Sequence, residues 1–391
     1  MACQLRAWPR ERASRNGQVE VCRGGARLSS VVVLFGAGAS APAGIPIASR
    51  MSELLTDRPA FDRYPESLAS PSDWEWNAYL RTIDFIRTQL AAWDPGPHRS
   101  FGPIDAELIF NQLLVLEDIS TGSRDPFSGP LSEATASFLA QTTPGMLSTV
   151  RRRLLLVVRE MVDPPVLADC SYLNPLTEMF EQQGHLTIAT LNYDRTVETM
   201  AEKEGTPLDT GFEVWAKTGD FRLADDAIHL LKLHGSCDWF RTTGGASRYQ
   251  GDVEVWHAGP NPYAGVALDV DITAPALLFG GSNKLDAHGP YLRMLTAFDD
   301  ALSNASRLVV VGYSIRDPHI NALIERFSRN DLITRRQPEL VIVDPALDAV
   351  QVRLSEIHPH FWPAYGLKAG AREGLHAALF DPVDTFTALH G

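Results

Sequence analysis

Paired cysteines, long apolar runs and a surplus of positive charge are all missing from this sequence. The four cysteines, Cys3, Cys22, Cys170 and Cys237, stand far apart and form no C-x-x-C pair. That spacing argues against a disulfide framework and against a Cys-based zinc site, and it leaves free thiols suited to a reducing compartment. No stretch reaches the roughly 18 consecutive apolar residues of a membrane span, and the N-terminus lacks the apolar core of a secretory signal. A soluble, cytoplasmic protein with no membrane attachment is the expectation. The formal charge is −13, from 35 basic and 48 acidic residues. Such a surface lacks the basic footprint of a nucleic-acid-binding domain, so direct nucleic-acid binding is not expected. Nor do clustered acidic metal ligands mark a nuclease.

What is present is enough apolar residue, 45% of 391, to bury a large core. Residues 1–28 carry Arg6, Arg10, Arg12, Arg15, Arg23 and Arg27 without apolar periodicity and read as a disordered, solvated arm. The remainder, 29–391, reads as one domain. Val31 to Phe35 is a short, β-branched apolar run of the kind buried on both faces of a parallel sheet. From about 50 to 170 the pattern turns helical: Leu108, Ile109, Leu113 and Leu116, then Leu154, Leu155, Val158 and Met161, recur at three- and four-residue spacing. This is a large helical insertion after the first strand. Asn174-Pro175 predicts a helix start and Gly184 its end. Further strands are expected at Leu186–Leu191, Ile228–Leu233, Ala276–Phe279, Leu308–Val311 and Leu340–Val343. Residues 240–272, rich in Gly, Pro and aromatics, read as a loop-rich subdomain. The fold class predicted is α/β, a Rossmann-like doubly wound parallel sheet.

The chemistry-bearing motifs sit at the ends of these strands. Gly36-Ala37-Gly38-Ala39-Ser40-Ala41 has the G-x-G-x-x-G/A spacing that lets backbone approach a pyrophosphate at a helix N-terminus, although glycines after a strand are also ordinary turn residues. The acid of a dehydrogenase would follow a second strand, which Glu53 and Asp57 do not. Thr190-Leu191-Asn192-Tyr193-Asp194 brings an amide and a carboxylate to a strand end, where they suit a ribose, a water or a carboxamide. Equally, Asn192 can make a turn and Asp194 cap a helix. His234, in Leu233-His234-Gly235-Ser236, can accept a proton from water or a sugar hydroxyl, or serve structure alone. In Gly312-Tyr313-Ser314-Ile315-Arg316-Asp317-Pro318, Asp317 reads as a helix cap, while Gly312 and Ser314 point to a phosphate. Asp344 suits ribose hydroxyls or a turn before Pro345. Trp74 and Trp76 in the insertion read as core or as a docking surface.

Taken in order, these motifs resemble the sirtuin-like superfamily. GAGASAPAGIP at Gly36–Pro46 is similar to its opening glycine loop, Thr190–Asp194 to its TQNID strand end, and Leu233-His234-Gly235 to its catalytic LHG. PALLFG at Pro275–Gly280 is similar to its P-x-V-x-FG strand, and Gly312-Tyr313-Ser314 to its GTS. The resemblance implies that Gly36, Ala37, Gly38 and Ser40 cradle a pyrophosphate. It implies that Asn192 and Asp194 hold the nicotinamide ribose and carboxamide, and that His234 is the base. Gly312, Ser314 and Asp344 would serve the phosphates and the adenosine ribose. Departures are equally informative: Ile47-Ala48-Ser49 replace the Asp-Phe-Arg of deacylases, Leu191 replaces Gln, and Cys237 stands alone where two zinc-binding pairs belong. The pattern resembles the zinc-free bacterial branch used in anti-phage defence. That branch implies an NAD glycohydrolase with NAD as substrate and no metal, self-assembly into a homo-oligomer, and a neighbouring partner such as a hexameric, HerA-like translocase ATPase or another phage-sensing protein. The alternatives are a non-catalytic module that senses NAD or ADP-ribose with a partner, and an NAD-dependent protein deacylase.

Overall fold

The computed structural model describes residues 30–55, 73–92, 104, 106–122, 132–163, 168–244, 253–258, 275–277, 289–329, 338–357 and 364–389. The arm at 1–28 lies outside them. In chain order the strands are β1 (Val31–Phe35), β2 (Leu186–Thr190), β3 (Leu208–Asp209), β4 (Ile228–Lys232), β5 (Gly235–Gly244), β6 (Val253–Ala258), β7 (Pro275–Leu277), β8 (Arg307–Val311), β9 (Glu339–Val343), β10 (Ala364–Leu367) and β11 (Thr387–Leu389).

Eight of them form one sheet in the order β11-β10-β9-β8-β1-β2-β4-β3. Every pairing in it is parallel except β10 with β11 at the edge. The chain steps outward from β1 to β2 and β4, then returns to β8 on the other side of β1 and steps outward again to β9 and β10. The strand order therefore reverses between β1 and β8, and the crevice beyond the carboxyl ends of strands at such a reversal is where ligands bind in open α/β sheets. Register places those ends level: Phe35 pairs with Thr190 and with Val311, Thr190 with Lys232, and Val311 with Val343. All five residues of β1 are buried, as its unbroken apolar run predicts. Val31, Val33 and Phe35 join the core on one face of the sheet, Val32 and Leu34 the core on the other.

The helices are α1 (Ala48–Leu54), α2 (Asp73–Ala92), α3 (Ala106–Ser120), α4 (Glu133–Leu139), α5 (Pro144–Val162), α6 (Pro175–Gln183), α7 (Thr196–Glu204), α8 (Phe212–Thr218), α9 (Tyr291–Asn304), α10 (Pro318–Arg329), α11 (Leu347–Ile357) and α12 (Ala371–Phe380). Six of these, α1 to α6, lie between β1 and β2, and the first five make up the insertion. Ile109, Leu113 and Leu116 of α3 and Leu154, Leu155, Val158 and Met161 of α5 are buried at the predicted spacing. Trp76 stacks on Tyr79 with ring centroids 5.7 Å apart and is buried, whereas Trp74 is 56% exposed.

Two expectations change. The strand predicted around Ala276 does not extend the parallel sheet: β7 pairs antiparallel with β5, which also pairs with β6, in a separate three-stranded sheet. Residues 278–280 fall outside the description. Parts of the stretch read as loop, up to Gly244 and from Val253 to Ala258, are strands of that second sheet; its Gly- and Pro-rich composition hid a hairpin pairing that needs no apolar run. The helix predicted from Asn174-Pro175 does start at Pro175, with Asn174 at the N-cap position but without a side-chain cap bond. A 3-10 turn at Ser171–Leu173 leads directly into α6, and the Asn174 amide instead donates to Glu204 Oε1 at 2.9 Å. The helix does end at Gly184, whose φ of 73° lies in the left-handed region.

Candidate functional site

The loops after β1, β2, β4 and β8 surround one cavity of about 1160 Å³, including its open mouth. Gly36, Ala37, Asn192, Asp194, His234, Gly312 and Ser314 all line it. Gly38, Ser40 and Asp344, predicted to join them, do not.

Steric contact accounts for the glycines of the two central loops. The Gly36 amide donates to Val311 O at 3.0 Å, and the Gly38 amide to Gly312 O at 3.0 Å. A Cβ on Gly38 would stand 2.8 Å from the Gly312 Cα, and one on Gly312 2.4 Å from the Ala39 nitrogen. Gly312 also has a φ of 63°. The first and third glycine-bearing turns thus interlock, backbone against backbone. Ser40 is 2% exposed and turned inward, with its hydroxyl 3.4 Å from that of Thr196.

Asn192 ties the β2 end to this interlock. Its side-chain amide donates to Gly36 O and to Ser40 Oγ, both at 2.9 Å, while its backbone amide donates to Thr190 Oγ1. With both amide hydrogens engaged, the side-chain carbonyl oxygen is what Asn192 has left to offer a hydroxyl or a water. Asp194 caps α7 through Oδ1, which accepts from the Thr196 amide at 2.9 Å and its hydroxyl at 2.6 Å. Its backbone carbonyl accepts from Lys232 Nζ. The Asp344 carboxylate accepts from the Ala346 amide at 2.7 Å, the turn reading of that residue.

His234 is 5% exposed, and its Nε2 lies 3.2 Å from Asp317 Oδ2. Tyr193 packs beside the imidazole with ring centroids 6.4 Å apart, and its hydroxyl reaches Glu107 Oε1 of α3 at 3.4 Å. Burial, then the Glu107 carboxylate, pushes the Tyr193 phenol well above its usual range. Burial, then Asp317, does the same to Tyr313. Both remain O–H groups at ordinary pH. The insertion supplies the facing wall: Ala48 and Met51 from α1, Ala106 and Glu107 from α3, Val162 from α5.

Sequence reasoning missed Tyr193, Glu107, Arg316 and the pairing of Asp317 with His234. It also missed Lys232, which is fully buried and donates to Glu198 Oε1 at 2.8 Å just behind the site. A lysine within the apolar run Ile228-His229-Leu230-Leu231-Lys232-Leu233 was the available signal, because a buried ammonium requires an acceptor.

Residues 186–369 match the model of the SIR2-like domain family. That stretch runs from β2 to just beyond β10 and carries Asn192, Asp194, His234, Gly312, Ser314 and Asp317; β1, the Gly36 loop and the insertion precede it. The match, over somewhat less than half of the chain, supports a likeness to the sirtuin-like superfamily. No curated protein matches the sequence. Among solved structures, a Sir2 homologue in complex with NAD is 15% identical, over 90% of this chain and 88% of its own, with a TM-score of 0.39. A mutant Sir2 homologue in complex with ADP-ribose is 16% identical, over 90% of each chain, at 0.36. Sir2Tm bound to a propionylated peptide is 15% identical, over 84% of this chain and 93% of its own, at 0.32. No helix among the described residues is long and apolar enough to cross a membrane.

Proposed function

We propose that the protein hydrolyses NAD at the bond between nicotinamide and ribose, releasing nicotinamide and ADP-ribose. The observation that carries this reading is the convergence of Asn192, Asp194 and His234 with the Gly36 and Gly312 loops on one cavity at the switch point of the sheet. Backbone at Gly36, Ala37 and Gly312, with Ser314, suits the pyrophosphate, because these loops lack side chains that would keep phosphates away. The nicotinamide end then lies toward Asn192, Asp194 and His234.

As the C–N bond breaks, the bonding pair leaves with the cationic ring, which becomes neutral nicotinamide, and positive charge develops on the ribose. No acid is needed for that departure. Water attacks the anomeric carbon and its proton passes to His234, while the Asn192 carbonyl oxygen orients the water or a ribose hydroxyl. Gly38 and Ser40 support this site from behind, and the Asp344 carboxylate is engaged by the turn at Ala346.

The same reading makes the protein an NAD-depleting effector of anti-phage defence in the cytoplasm. It would be held in check as a homo-oligomer or by a neighbouring partner such as a HerA-like ATPase, since uncontrolled hydrolysis would exhaust its host. The support for these points is the sequence resemblance.

The test is release of nicotinamide and ADP-ribose from NAD by the purified protein, alone and with its genomic neighbours. His234→Ala should abolish release with the fold intact, and so should Asn192→Ala, which in addition frees the Gly36 loop. Undiminished release by His234→Ala would overturn the assignment. NAD binding without release under every condition would replace the hydrolase with a sensing module.

A further inference from the structure

We propose that Asp317 is a positioning residue that fixes the tautomer of His234; this rests on the hydrolase reading above. Asp317 has two carboxylate oxygens with separate partners. Oδ1 accepts from the His319 amide at 3.0 Å and so caps α10, with Pro318 at the first helical position. Oδ2 lies 3.2 Å from His234 Nε2, within ion-pair distance although the two are not aligned as a hydrogen bond. Both residues are 5% exposed, so water competes little for either group.

A cap alone does not require this residue type, because Asn and Ser cap helices as well as Asp does. What only the carboxylate provides is a second acceptor. An ionised carboxylate oxygen accepts and never donates, so its charge favours the hydrogen on the ring nitrogen nearest to it. Nε2 is then the N–H and Nδ1 holds the lone pair that takes the proton from water. Once His234 is protonated, the adjacent carboxylate stabilises the imidazolium.

The loop is built to hold Asp317 there. Its backbone amide donates to the Tyr313 hydroxyl at 2.9 Å, and that hydroxyl lies 2.9 Å from Asn321 Oδ1. The Asn321 amide donates to Ile315 O at 3.3 Å, and Arg353 to Ser314 O at 2.8 Å. Ile315, buried and β-branched, has a φ of 56°, a conformation such residues adopt only when their surroundings impose it. The turn that brings Asp317 back over His234 is strained and held at several points.

Asp317→Asn separates positioning from capping. To keep the cap, the amide oxygen must face the His319 amide, which places the NH2 group against Nε2. His234 would then present its lone pair to that donor and carry its hydrogen on Nδ1, the wrong tautomer for a base. The expected result is a fall in kcat of about 100-fold or more, with KM for NAD nearly unchanged and the melting temperature preserved. The doubly substituted Asp317→Asn, His234→Ala protein should be no slower than His234→Ala alone. Nitrogen-15 shifts of the histidine ring, assigned by their absence in His234→Ala, read the tautomer without any turnover: Nε2–H in the native protein, Nδ1–H in the Asn variant. Should the Asn variant not fold, Asp317→Ser keeps a capping oxygen, removes the carboxylate, and is expected to lose kcat likewise. Native-like kcat in Asp317→Asn beside an inactive His234→Ala, or an Nδ1–H tautomer in the native protein, would overturn the positioning role and leave the hydrolase standing. Full activity in His234→Ala would remove the hydrolase itself.

Discussion

A side chain on Gly36 would put its Cβ 2.5 Å from the carbonyl oxygen of Gly312, although the two residues belong to different turns 276 positions apart in the sequence. This contact joins β1 and β8 at the point where the sheet changes direction, and it forms the floor of the cavity. Gly312→Ala adds both a left-handed strain and a clash with the Ala39 nitrogen. Its expected cost is about 3 kcal/mol or more, read as a lowered denaturant midpoint, with NAD affinity lost even where the variant folds. A variant of native stability that binds NAD normally would show that the turns can separate freely.

Lys232 and Glu198 form an ion pair beneath the Asp194 loop, the lysine fully buried and also bound to the Asp194 carbonyl. Removing one partner strands the other charge. Lys232→Met should cost about 3–5 kcal/mol, and adding Glu198→Leu should restore most of it, because an apolar pair of similar volume needs no solvation. If the double variant is no more stable than the single one, the lysine's bond to the Asp194 carbonyl, rather than the pairing, carries the stability.

Asp344 gives a dependence on pH. Burial pushes its carboxyl above the ordinary value, opposed by the Ala346 amide and by Arg353. A raised folded pKa means that the native state binds the proton more tightly than the unfolded chain does. The associated stability is complete below the unfolded value, about 3.9, and is lost as pH rises through the folded one. Asp344→Asn keeps an acceptor for Ala346 and abolishes that loss. Its melting temperature should therefore gain on the native protein as pH rises from about 4 toward neutrality. Turnover of NAD should not change; a weakened KM in a stable variant would return Asp344 to the ribose.

The sheet was readable because each central strand is a short apolar run that stops at a glycine or a polar cluster, and four such stops, at Gly36, Asn192, His234 and Gly312, reach one cavity. Short elements left no comparable mark. β3 has two residues, and β10 and β11 have four and three, too few for a period to register. Composition could not assign β7 to a second sheet, since a three-residue strand looks alike in either. The site's cross-chain pairs were hidden for another reason. Tyr193 meets Glu107 across 86 positions, and His234 meets Asp317 only because Ile315 takes a backbone conformation its side chain disfavours. Local patterning carries no trace of either.

The cavity is assembled from both ends of a long stretch of chain, from Gly36 on the first strand to Pro318 at the start of α10. A growing polypeptide that has passed His234 but not yet Gly312 owns the proposed base and the Asn192 amide, yet lacks the floor, Ser314 and Asp317. Synthesis is thus a timer: no ribosome-bound intermediate short of the β8 turn holds a complete site, although the insertion that walls it has already been made.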